Sequence, residues 1–86
     1  MFETELVVKN ETGLHARPAA QLATLCGKYK SEIRIYNGET EINPKSVLSI
    51  MAGGVYAGTT IKLQVTGEDE EEAGRAISEL INNLTD

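Results

Sequence analysis

The chain has 86 residues and a formal charge of −5, with 41% hydrophobic and 24% charged residues, which fits one folded domain spanning 1–86 and is too apolar for a disordered segment. Its one cysteine, Cys26, excludes an internal disulfide and a cysteine-built zinc site and suits a reducing compartment. An acidic chain without a run of Lys or Arg is poorly matched to nucleic acid or an anionic membrane, and no apolar run resembles a signal peptide or a membrane span, so a cytoplasmic protein without membrane insertion is expected.

Residues 2 to 8 place Phe2, Thr4, Leu6 and Val8 on one side and Glu3 and Glu5 on the other, the period-two pattern of a strand with one buried face. Asn10 to Leu14 supplies turn residues. From Ala16 the apolar residues Ala19, Leu22, Ala23 and Cys26 recur at helical spacing up to Gly27, which reads as a stop. Ile33 and Ile35 alternate with Arg34 and Tyr36. Asn37-Gly38 then predicts a two-residue hairpin turn into Thr40 and Ile42, with residue 35 opposite 40 and 33 opposite 42. Pro44-Lys45-Ser46 precedes Val47, Leu48, Ile50 and Met51, a run closed by Gly53-Gly54 that reads as a one- or two-turn helix with Ser46 near its N-cap. Ile61, Leu63 and Val65, alternating with Lys62 and Gln64, give a fourth strand. Asp69 followed by Glu72 has the spacing of a capping box, and Ala73, Ala76, Ile77, Leu80 and Leu84 make the apolar face of the last helix. The order β-α-β-β-α-β-α predicts an α+β domain: a four-stranded antiparallel sheet, bare to solvent on one face and covered on the other by three helices.

Fold class does not set function, so the chemistry must come from side chains. His15 stands between a turn and a helix, where the first helical N–H groups have no intrahelical partner and the helix end carries partial positive charge. Such an end receives anions, and Arg17 can add a planar, permanently charged guanidinium. Pro18 costs little there, because its missing N–H would be unpaired anyway. An ordinary imidazole titrates at about 6.5, so its neutral form is a nucleophile near pH 7. Against this, a lone histidine at a helix start is more often a solvated or capping residue, and a lone arginine a surface charge. No second histidine, carboxylate pair or metal-ligand cluster accompanies them, so hydrolase and metalloenzyme readings lack components.

The stretch Gly13-Leu14-His15-Ala16-Arg17-Pro18-Ala19-Ala20, followed by Lys45-Ser46-Val47-Leu48-Ser49-Ile50-Met51, resembles the histidine-containing phosphocarrier family, HPr, of the phosphoenolpyruvate-dependent sugar phosphotransferase system. The resemblance covers essentially the whole chain. It implies an open-faced β-sandwich with three helices, and a monomeric carrier rather than an enzyme, with no cofactor. Enzyme I would phosphorylate His15 on Nδ1, Arg17 would be its charge partner, and sugar-specific A domains of permeases would take the group on. Ser46 matches the serine that a dedicated kinase phosphorylates in many Gram-positive members, which adds an HPr serine kinase and a catabolite-control transcription regulator to the implied partners. On its residues alone Ser46 is a helix cap. The resemblance also implies an apolar collar of Leu14, Val47, Leu48 and Met51 around His15, although apolar residues at helical spacing are more often core and in so short a helix some must face in; Ala16 and Ala20 are small enough for a partner backbone to approach. Gly53 and Pro44 depart from the family pattern and bear on partner choice, whereas histidine at 15 excludes the glutamine-bearing regulatory paralogue. Two further readings remain: a regulatory paralogue that feeds no transporter, and a small anion-binding module in which His15 is only a contact.

Overall fold

The computed structural model describes residues 1–85. Strands β1 (Phe2–Val7), β2 (Glu32–Asn37), β3 (Thr40–Ile42) and β4 (Thr60–Thr66) form one antiparallel sheet in the order β1-β4-β2-β3. The alternation seen in the sequence sets its two faces. Leu6 lies opposite Ile61, Ile35 opposite Leu63 and Ile33 opposite Val65, so the inward side chains of three strands meet, and all but Leu6 are at most 1% exposed. Burying one such side chain contributes about 1.5–3 kcal/mol. The other face is polar: Arg34 bridges Glu32 and Glu41, and Lys62 pairs with Glu3, exposed pairs of modest energy.

Helices α1 (Arg17–Cys26), α2 (Val47–Ala52) and α3 (Glu70–Asn82) cover the apolar face. Helix α3 lies over β1 and β4 and meets α1, which in turn meets α2. Pro18, Ala19, Leu22 and Cys26 of α1 face the core, as do Ala73, Gly74, Ile77 and Ile81 of α3, whereas α2 buries only Ile50. Burial pushes the Cys26 thiol up to about 12, with Lys45 pulling weakly the other way. Among the described residues no helix is long and apolar enough to cross a membrane. The four-stranded sheet under three helices is the α+β arrangement that the periodicity predicts.

Three local expectations are corrected. The hairpin pairs Ile35 with Ile42, Tyr36 with Glu41 and Asn37 with Thr40, so its two-residue loop is Gly38-Glu39 and not Asn37-Gly38. Core burial decides the register: Ile35 and Ile42 are both fully buried, whereas the expected pairing would set Ile35 against exposed Thr40. Gly38 takes φ +62°, which glycine adopts freely. Asp69 heads α3 without a side-chain cap. Its carboxylate instead accepts the N–H groups of Lys30 and Ser31, at 2.9 and 3.0 Å, and the Ser31 hydroxyl. The last helix buries Ile81 and stops at Asn82, which leaves Leu84 beyond its end.

Candidate functional site

The loop that carries His15 is shaped before α1 begins. Asn10 is buried; its Nδ2 donates to Gly13 O at 2.8 Å, and Gly13 N–H donates to Asn10 O at 3.1 Å, which closes a turn over residues 10–13. Gly13 takes φ +67°, and a Cβ there would lie 2.3 Å from Val55 O, so the close approach of the two loops requires glycine. Leu14 N–H donates to the same Val55 O at 3.0 Å, and the Leu14 side chain is fully buried. The apolar collar expected around His15 therefore lacks Leu14, which the backbone bond to Val55 turns into the core.

Ala16 follows His15 as the N-cap of α1, at φ 55° and ψ −122°, the single positive φ of a non-glycine residue among those described. Crowding of its Cβ costs about 1–3 kcal/mol. Ala16 O accepts from Ala20 N–H at 3.1 Å and so starts the helix. Alanine has no side-chain oxygen to cap the first amides, Pro18 carries no N–H, and no acidic residue stands in the first turn. The positive end of α1 thus meets no carboxylate of its own beside His15.

His15 is half-buried. Its Nε2 is closed off from solvent and has no hydrogen-bond partner among the described residues. The imidazole packs against the ring of Tyr56, with centroids 5.1 Å apart and planes inclined by 34°. Sequence reasoning missed Tyr56; the available signal was an aromatic residue stranded between Gly53-Gly54 and Gly58, with no helix or strand to carry it into the core.

Arg17 is exposed and lines an open hollow with Gln21 and Leu25 of α1 and Glu79, Leu80 and Asn83 at the end of α3. Ala16 and Ala20 are exposed at the start of α1. On α2, Val47, Leu48 and Met51 are 38%, 81% and 42% exposed; a six-residue helix with Ile50 turned inward has no room to bury them as well. Since α2 packs on α1, this apolar surface adjoins the helix that follows His15. Ser46 caps α2, its Oγ accepting Ser49 N–H at 3.2 Å. Ser49 Oγ accepts Asn43 N–H at 2.8 Å, and Asn43 Oδ1 accepts Lys45 N–H at 3.1 Å, so the turn through buried Pro44 is fixed by its own side chains. At Gly53 a Cβ would fall 2.3 Å from Ile42 Cδ1: the Ile42 side chain fills the space that a larger residue would claim. Among the described residues no group of three His, Cys, Asp or Glu is placed to hold a metal ion.

A family profile described as PTS HPr component phosphorylation site matches residues 2–83, which takes in the whole loop, helix and cap arrangement around His15. The chain belongs to the HPr family. It is 40% identical over 83 residues to the phosphocarrier protein HPr of Xylella fastidiosa strain 9a5c, covering 96% of this chain and 93% of that protein. With the HPr of Pseudomonas aeruginosa PAO1 it shares 39% identity over 83 residues, covering 95% and 92%. The crystal structure of HPr-C-His from Thermoanaerobacter tengcongensis matches with a TM-score of 0.92 at 43% identity, over 95% of this chain and 92% of that one. The sheet and its three helices are therefore the open-faced β-sandwich of HPr, and the protein is a phosphocarrier of the phosphotransferase system.

Proposed function

We propose that this HPr takes a phosphoryl group from enzyme I on Nδ1 of His15 and passes it to the sugar-specific A domains of phosphotransferase permeases, in the cytoplasm. The observation that best supports this reading is the imidazole itself, held at the uncapped head of α1 with Nε2 buried and without a polar partner. The Nδ1 lone pair attacks phosphorus while the bond to the donor breaks and its electron pair leaves with the donor; the ring proton stays on Nε2. The new phosphoryl oxygens lie near the positive end of α1. Arg17 serves as charge partner, its guanidinium fork matching two phosphoryl oxygens. Reaction with an A domain runs the same exchange in reverse, with no lasting change in the carrier.

The exposed apolar side chains Val47, Leu48 and Met51, together with Ala16 and Ala20, form the docking surface for both partners. Ser46 is a regulatory site for an HPr serine kinase, and the seryl phosphate presents a new anionic feature to a catabolite-control regulator. His15→Ala tests the central assignment. With enzyme I and labelled phosphoenolpyruvate, wild type gains one acid-labile phosphate and the alanine variant gains none while keeping its melting temperature. An acid-labile phosphate on the variant refutes the reading.

A further inference from the structure

We infer that Tyr56 is a positioning residue: its ring shields Nε2 of His15, holds the imidazole, and so directs the phosphoryl group to Nδ1. This rests on His15 being the acceptor, as proposed above. Nε2 is buried yet has no hydrogen-bond partner among the described residues, and the ring packed on the imidazole is that of Tyr56. Tyr56 is itself 62% exposed, so burial in the core does not explain where it sits.

Its backbone explains it. Val55 O receives Leu14 N–H at 3.0 Å, and the Val55 side chain is fully buried. Tyr56 N–H donates to Thr59 Oγ1 at 3.1 Å, Tyr56 O accepts Thr59 N–H at 3.0 Å, and Gly58 N–H donates to Val8 O at 2.6 Å. A Cβ on Gly13 would lie 2.7 Å from Tyr56 Cα, so the two loops touch through backbone. His15 and Tyr56 thus stand on segments locked to one another, and a tyrosine has few rotamers with which to leave its place. Both nitrogens of a free imidazole can receive a phosphoryl group; here one is covered by a side chain that can be cut away without opening the core.

Phosphoramidate, a small donor that needs no partner protein, isolates this effect. The imidazole lone pair forms the new N–P bond, the donor's P–N bond breaks with its electron pair leaving on nitrogen, and the ammonia released takes a proton from water to become ammonium, while the ring keeps the proton on its other nitrogen. Phosphorus and nitrogen NMR distinguish the two phosphohistidine isomers. Wild type is expected to give the Nδ1 isomer in at least tenfold excess, and Tyr56→Phe to keep that ratio within twofold. Tyr56→Ala should lower the ratio at least tenfold at an unchanged melting temperature; Tyr56→Gln, which keeps length without a ring, supplies the same reading should the alanine variant not fold. A ratio within twofold of wild type in the ringless variants overturns the inference, and so does a loss in Tyr56→Phe as large as in Tyr56→Ala. No phosphohistidine in wild type, matching His15→Ala, would remove the acceptor assignment itself.

Discussion

Ala16 holds a backbone conformation that glycine enters freely and alanine does not. Ala16→Gly removes crowding of about 1–3 kcal/mol and adds unfolded-state freedom of about 0.5–1 kcal/mol. A net gain of about 1 kcal/mol is expected, a rise of about 4–8 °C in melting temperature for a domain of this size. A melting temperature at or below wild type would show that Ala16 carries no such strain. At Arg17 the chemistry separates charge from shape. Arg17→Ala should slow phosphoryl transfer from enzyme I more than Arg17→Lys does, because lysine keeps the charge and loses the fork. Equal rates for wild type and both variants would make Arg17 an ordinary exposed residue. The His15-Ala16-Arg17 motif can be picked out in the sequence because its residues are near neighbours along the chain. Tyr56 cannot, since only the contact between two loops brings it to the imidazole.

Helix α2 is capped at one end and leaves three apolar side chains, Val47, Leu48 and Met51, exposed. It begins at Ser46, whose Oγ holds Ser49 N–H, and its end is tied to β2 by Asn37, whose Nδ2 donates to the carbonyls of Gly53 and Gly54 at 2.9 and 3.2 Å. Asn37 does this because the hairpin turn falls one residue later than the Asn37-Gly38 pair suggests, which leaves Asn37 in the strand with its side chain free to reach across. Ser46→Ala loses the cap, at about 0.5–2 kcal/mol, and is expected to accept phosphate on His15 at the wild-type rate. Ser46→Asp keeps an acceptor at the N-cap, so its melting temperature should stay near wild type. Its charge lies beside Val47 and Leu48, where a docking partner would have to desolvate it. Phosphorylation by enzyme I below saturation should therefore slow. An aspartate variant phosphorylated as fast as wild type would leave Ser46 a helix cap and nothing more.

Across the whole molecule, the carboxylate of Asp69 joins the segment after α1 to the head of α3. The Ser31 hydroxyl first, then the Lys30 N–H, hold that carboxyl below its ordinary range. A depressed carboxyl stabilises the fold above about pH 4, and the benefit is lost as pH falls through the folded-state value. Asp69→Asn should therefore melt lower at pH 7 and lose less than wild type between pH 4 and pH 2; parallel acid slopes for the two proteins would contradict this. The sequence by itself determined the order of elements, the inward faces of the strands, the Ser46 cap and the His15 motif, because each depends on spacing along the chain or on the residue's immediate neighbours. Tertiary structure alone decided the hairpin register, the diversion of Asp69 from its helix to Lys30 and Ser31, the burial of Leu14 and the placing of Tyr56 against His15. In each of these cases the partner is distant along the chain, and core packing, a hydrogen bond between segments or a backbone contact between two loops overrides the local preference.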